Sequence, residues 1–252
     1  MNKNPDPKKY TKVLNSFYLD TSDYSDNYVQ KECRENKQWE PYVTHWMMKN
    51  IKPGWVCLDI GANIGYYTEV LARLSGPNGK VLSFEPLKFL VDRYKKAQKY
   101  NEYSDCSSIE IYNYALSNKE DVVDIFISPM NIGASNIMTN NKIRILNEDY
   151  RVEKVKCIEL KSLYSGHIDF IKIDIEGHES VAWEGFPETA KNCPLILIEL
   201  SNDHSKEFVE FIFETYDVYD ILNNSVSMEF FYKVVKNDKY VTHMDLVLRK
   251  KN

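Results

Sequence analysis

Four stretches of this chain combine residue types and spacings that could do chemistry. The first is Asp59-Ile60-Gly61-Ala62-Asn63-Ile64-Gly65, where an apolar run gives way to small residues. Small residues let a backbone approach a ligand closely, and a helix starting there offers free N–H groups to an anion. The second is Glu85, which ends the next apolar run twenty residues beyond Gly65. A carboxylate so placed can accept hydrogen bonds from two ribose hydroxyls. The third is Asp169-Phe170-Ile171-Lys172-Ile173-Asp174-Ile175-Glu176-Gly177-His178-Glu179. Charges are rare in strands buried on both faces. Side chains alternate along a strand, so Lys172 and Asp174 share a face. For Lys172 a structural ion pair with Asp174 is the expectation; Asp174 and Glu176 fall at the strand's carboxyl end, where open α/β sheets bind ligands. The fourth is Leu195 to Leu200, an apolar strand with Glu199 near its end. On neighbouring strands, Asp174 and Glu199 would lie close enough to share a proton, a substrate hydroxyl or a divalent cation. His178 and His204 follow these two strand ends, and a histidine above the cleft could serve as general base.

The elements that must hold these residues alternate between strand and helix. Strands are expected at Trp55–Ile60, Val81–Phe84, Ile109–Leu116, Ile168–Ile175 and Leu195–Leu200, with helices at Ile64–Leu74, Leu87–Tyr100 and Lys206–Thr215 and another beginning near Gly177. Near-continuous apolar strands separated by helices imply a parallel sheet covered on both faces. Val122–Ser128 and Val152–Leu160 interrupt the alternation as extra strands around a Gly133-Ala134-Ser135-Asn136 loop, and Tyr216–Leu222 and Met244–Arg249 read as two closing strands. Ahead of the sheet, residues 1 to about 26 read as a loose arm with a short element at Val13–Leu19. A helical pattern runs from Tyr28 to Asn50, with Pro41 in a first turn and Pro53-Gly54 as the stop.

Composition narrows the function. The chain has 252 residues, 43% hydrophobic and 13% aromatic, and a net charge of −5. That suits one α/β domain with an extension, excludes general disorder and lacks the basic footprint of a nucleic-acid binder. No apolar run approaches a membrane span, and the start carries no secretory h-region. Five scattered cysteines without a CxxC pair point to free thiols in a reducing, cytoplasmic setting. The strand–turn–acid arrangement reads as a nucleoside cofactor site. A dinucleotide fingerprint would need glycines where Asn63 and Tyr66 stand, and Asp59 would sit badly against a pyrophosphate. An acid there suits a cofactor with an amino group and a sulfonium, as in S-adenosylmethionine.

With these residues in view, the chain resembles the FkbM-type S-adenosylmethionine-dependent methyltransferases. The resemblance rests on Leu58 to Gly65, Phe84-Glu85-Pro86, Asn113-Tyr114-Ala115-Leu116-Ser117, and Asp169 through Gly177 with Glu179, and it covers roughly Glu40 to Leu200. It implies a Rossmann-like class I α/β fold: a seven-stranded, mostly parallel sheet with its last strand antiparallel and helices on both faces. Residues 1–50 would form an N-terminal arm and helical cap. Residues 51–252 would form the methyltransferase domain, with a β insertion at about 117–161 before strand four. The implied activity is O-methylation of a sugar, glycan or polyketide hydroxyl. Carried over, Asp59, Gly61, Asn63 and Gly65 would hold the methionine end of the donor and Glu85 with Pro86 the ribose. Asn113, Tyr114 and Ala115 would border the adenine, and Glu40, where the similarity begins, would join the donor site. Asp174 would border donor and acceptor together.

The reaction expected is in-line transfer of the sulfonium methyl to a hydroxyl oxygen, with orientation as the enzyme's main contribution. Asp174 is the first candidate for taking the hydroxyl proton, with His178, Glu199 and His204 behind it. Ser135, Asn136 and Glu176 are candidates for holding acceptor hydroxyls. Tyr18, Trp39 and Tyr42 could form a stacking wall for a sugar ring. A small-molecule or glycan acceptor is expected, and the acidic balance speaks against nucleic acid. The alternatives are an RNA 2′-O-methyltransferase, a dinucleotide oxidoreductase and a non-catalytic donor-binding module.

Overall fold

The computed structural model describes residues 5–23, 25–26, 28–128, 131–137, 151–237 and 243–251. The chain opens with a hairpin, β1 (Tyr10–Val13) and β2 (Phe17–Asp20), paired in antiparallel register. The element expected over Val13–Leu19 is therefore the turn and second strand of this hairpin. Two helices follow, α1 (Val29–Asn36) and α2 (Pro41–Asn50). The single helical pattern breaks because Lys37 and Glu40 both adopt left-handed backbone, with Pro41 starting α2.

The alternating core is β3 (Val56–Ile60), α3 (Tyr66–Ser75), β4 (Lys80–Phe84), α4 (Lys88–Ala97) and β5 (Ser108–Tyr112). Asn113 and Tyr114 then turn the chain out of the main sheet. Ala115–Leu116 is a separate short strand, β6, in a three-stranded sheet with β7 (Asp121–Ile127) and β8 (Arg151–Ile158), ordered β6-β8-β7. The strand expected over Ile109–Leu116 is thus divided between two sheets. The chain returns through β9 (Phe170–Ile173), α5 (Glu179–Glu184), β10 (Leu195–Ser201), α6 (Lys206–Thr215) and β11 (Tyr216–Asp220). It closes with α7 (Met228–Asn237) and β12 (His243–Lys250).

The central sheet has the order β11-β12-β10-β9-β3-β4-β5. Strands β10, β9, β3, β4 and β5 pair in parallel, and β12 runs antiparallel between β10 and β11. This is the seven-stranded Rossmann-like arrangement that the resemblance implies. Its strand order reverses between β3 and β9, which opens a crevice at their carboxyl ends. Cys57, Phe170, Leu197 and Val247 bury on one face beneath α2 and α3; Leu58, Ile171, Ile198 and Leu248 bury on the other with Trp183 and Phe208. The arm is pinned to the body by Arg93 of α4. Its guanidinium donates to the carbonyl and carboxylate of Asp20 (3.0 and 3.1 Å) and to Gln30 Oε1 (2.7 Å). Among the described residues no helix is long and apolar enough to cross a membrane.

Candidate active site

The strand tips open onto a cavity of about 380 Å³. Three regions wall it. The tips of β3, β4, β9 and β10 form its floor, Tyr28, Val29, Trp39 and Glu40 of the arm cover one side, and the loop Asn131–Ile137 covers the other. Gly61 is where the floor is tightest. Its φ is +90°, and a Cβ there would run into the carbonyl oxygen of Asp174, so glycine lets the tips of β3 and β9 close up.

At the tip of β4, Glu85 is buried and lines the cavity. Its Oε2 accepts the Asn63 N–H (2.8 Å) and its Oε1 the Leu87 N–H (2.8 Å). Each oxygen keeps a lone pair for a ligand hydroxyl. Burial pushes its carboxyl up to about 7, against the lowering effect of those two N–H groups. Asn113 does not border the cavity. Its amide donates to the carbonyls of Glu85 (3.0 Å) and Pro86 (2.7 Å) and so holds the turn after β4 from behind, while Pro86, Tyr114 and Ala115 do line the space. Gly65 also lies off the cavity: at φ +86° it packs against the ring of Tyr94, which a Cβ would strike.

Asp59 departs from expectation. It is wholly buried and does not line the cavity. Its Oδ2 accepts from Thr68 (2.5 Å), its Oδ1 has no partner, and burial raises its pKa. It sits opposite Lys172 in the β3–β9 register, as part of the support beneath the floor.

At the tips of β9 and β10, carboxylates converge. Ligand oxygens of Asp174, Glu176 and Glu199 all lie within 4.8 Å of one another, a set that could hold a proton or a divalent cation. Asp245 faces Glu199 from β12, and His243 Nε2 lies 3.4 Å from Glu199 Oε1. Burial, then Asp174 beside it, pushes Glu199 up to about 10 and Glu176 up to about 8. Burial likewise raises Asp245. Glu176 reaches this group through left-handed backbone, φ +56°. Lys172 donates to Asp174 Oδ2 (3.0 Å) and lies over the Tyr67 ring, and it also lines the cavity. The structural pair expected for it therefore faces the ligand space as well.

The histidines separate. His178 lines the cavity, 3.3 Å from Ser117 Oγ, and burial lowers its pKa. His204 lies off the cavity, against the expectation of a catalytic role. Its Nε2 meets the buried Glu179 (2.8 Å) and its Nδ1 accepts the Ser201 N–H (3.0 Å). Glu179 also accepts the Ile175 N–H (2.8 Å), so this pair ties the β9 turn to the end of β10. Ser135 and Asn136 line the cavity, as does Trp39; Tyr42 is 73% exposed, and Tyr18 packs on Tyr100. Sequence reasoning missed Tyr67, Asp245 and His243. Asp245 carried the same signal as Asp174 and Glu199, a charge inside an apolar strand.

These features define the class: a doubly wound α/β protein with a cleft at the switch point and a carboxylate cluster lining it. The family model for the methyltransferase FkbM domain matches residues 59–241, and the chain belongs to that family of S-adenosylmethionine-dependent methyltransferases. No protein of curated function matches it in sequence. Among solved structures it is similar to the methyltransferase FkbM from Methylobacillus flagellatus, at 15% identity and a TM-score of 0.49, over 83% of this chain and 48% of that one. The chain thus spans about half the length of that protein. It is also similar to an S-adenosylmethionine-dependent O-methyltransferase from Thermotoga maritima (13% identity, TM-score 0.44, 85% and 67% covered). A third likeness is to an rRNA methylase from Streptococcus thermophilus (11% identity, TM-score 0.44, 83% and 95% covered).

Proposed function

We propose that the chain methylates a hydroxyl oxygen on an uncharged, sugar-like acceptor. The observation that carries this is the set of carboxylates at the tips of β9 and β10, which line the same cavity as Glu85 at the tip of β4. The residues present fit the donor. Glu85 and the Asn63 turn suit a ribose, and Asn63 Oδ1 and Asn136 Oδ1 are buried oxygens of cavity-lining residues with no partner. Buried acceptors left unpaired in a cleft are satisfied by a ligand's N–H or O–H groups. S-adenosylmethionine supplies an electrophilic methyl group on a positively charged sulfur.

The chain's own residues then have three tasks. Glu85, backed by Asn113, fixes the nucleoside end. The loop Asn131–Ile137 and the arm exclude water from above. Asp174, steadied by Lys172, faces the acceptor hydroxyl and takes its proton, and Glu176 and Glu199 hold neighbouring hydroxyls or pass that proton on. Burial keeps Glu176 and Glu199 largely protonated at neutral pH, so they offer a ligand O–H donors and oxygen acceptors, which suit neutral hydroxyls. That favours a neutral sugar over RNA. The five cysteines are free, which supports a reducing compartment such as the cytoplasm.

The test is transfer of a labelled methyl group to a panel of free sugars, glycans, nucleotide sugars and RNA. Label in a neutral sugar or glycan is the expected result. Label confined to RNA, or to nitrogen of any acceptor, would overturn the reading.

A further inference from the structure

The withdrawal of Asp59 beneath the floor leaves open what grips the amino-acid end of the donor, which carries an ammonium and a carboxylate. Two cavity residues have the charges for it. Glu40 comes from the arm, outside the segment matched by the family model. Its backbone is held at φ +38°, a conformation that costs a non-glycine residue energy and that persists where the surroundings demand it. Tyr67 donates to its Oε2; among the described residues nothing bonds to Oε1, and the residue lines the cavity. Lys172 is the one lysine or arginine lining the cavity among the described residues. One of its three N–H bonds goes to Asp174, and an ammonium has two more to give. Burial opposes its charge, yet Asp174, Asp59 and Glu40 around it keep that charge in place.

We propose that Glu40 and Lys172 form a two-point clamp, Glu40 Oε1 accepting from the donor's α-ammonium and Lys172 Nζ donating to its α-carboxylate. Resting on the S-adenosylmethionine reading, this assigns a binding role to the arm. The nucleoside is held from Glu85, the amino-acid end from Glu40 and Lys172, and the methyl between them faces the β9 and β10 tips. Asp59 then acts from below, by keeping Lys172 charged and upright.

Titration calorimetry with two ligands separates the clamp from the rest of the pocket. S-adenosylhomocysteine carries the amino-acid end; 5′-methylthioadenosine has the same nucleoside and thioether without it. Glu40→Gln keeps the shape and the Tyr67 bond. It should weaken S-adenosylhomocysteine about tenfold or more and leave methylthioadenosine within about twofold, as expected for loss of one charge-assisted bond. Lys172→Met should show the same split; should that buried variant not fold, Glu40→Gln decides alone. Equal weakening of both ligands by Glu40→Gln, or unchanged S-adenosylhomocysteine binding, would overturn the clamp while leaving the donor reading intact. Failure of the unaltered protein to bind either ligand would instead remove the donor reading and the clamp together.

Discussion

At the residue scale, the site holds its protons unusually tightly. Glu85 and Glu40 are pushed up to about 7, Glu176 to about 8 and Glu199 to about 10, each first by burial. All four exceed the ordinary glutamate value of 4.5. A raised folded value means that the folded state binds the proton more tightly than the unfolded chain. Its stabilising contribution is complete below the unfolded value and fades as pH climbs through the folded one. Without ligand, the melting temperature should therefore fall between about pH 5 and about pH 9, and Glu199→Gln should flatten the upper part of that decline. A melting temperature that rises over the window would contradict the cluster. Asp174→Asn tests the chemistry separately. Donor affinity measured by calorimetry should change little, while methyl transfer should drop by about a hundredfold or more, the scale of a lost general base. Full activity in this variant would take Asp174 out of the mechanism.

At the element scale, the strand tips are held by backbone geometry as much as by side chains. Gly61 permits β3 to press against β9, and any Cβ there meets the Asp174 carbonyl. Gly61→Ala should cost at least about 2 kcal/mol, combining the strain of positive φ with the displaced tip. It should also abolish donor-induced thermal stabilisation. The pair of Glu179 and His204 does for β9 and β10 what Gly61 does for β3 and β9: it sets where Asp174, Glu176 and Glu199 stand. Glu179→Ala strands the Ile175 N–H and the His204 ring inside the protein, which should cost about 2–3 kcal/mol in urea unfolding. A loss under about 0.5 kcal/mol, the scale of an exposed substitution, would show that water replaces the carboxylate there.

On the scale of the whole molecule, the cavity exists only because segments distant in sequence close over the sheet. The arm contributes Tyr28, Val29, Trp39 and Glu40, and the inserted loop contributes Asn131 to Ile137. Arg93 is one polar attachment of the arm, with its guanidinium shared between Asp20 and Gln30. Arg93→Ala leaves the buried Asp20 carboxylate without this partner. Limited proteolysis should then cut within residues 5–40 well before the sheet, and S-adenosylhomocysteine should bind more weakly. Equal protease resistance in both proteins would mean that apolar packing of Val13, Phe17 and Leu19, with the bonds of Asn101 to Tyr18 and of Arg73 to Ser16, holds the arm without Arg93.

The sheet, its parallel core and the positions of Glu85, Asp174 and Glu199 were legible in the sequence because each depends on local pattern: apolar runs, turn residues, and a charge where burial should forbid one. Strand ends, loop residues and the acid after the glycine turn carry that information within a few dozen positions. What tertiary structure decided was direction and company. Asp59 and Asp174 are both acids near strand ends, yet one sits two residues deeper and points beneath the floor, while the other stands at the rim. His204 follows a strand end as His178 does, but Glu179 draws it inward. Asp245 and His243 enter the site from the far end of the chain, since β12 inserts antiparallel beside β10. A strand pairing across some forty-five positions leaves no local trace, because the hydrogen bonds that specify it are formed between backbone groups common to every residue.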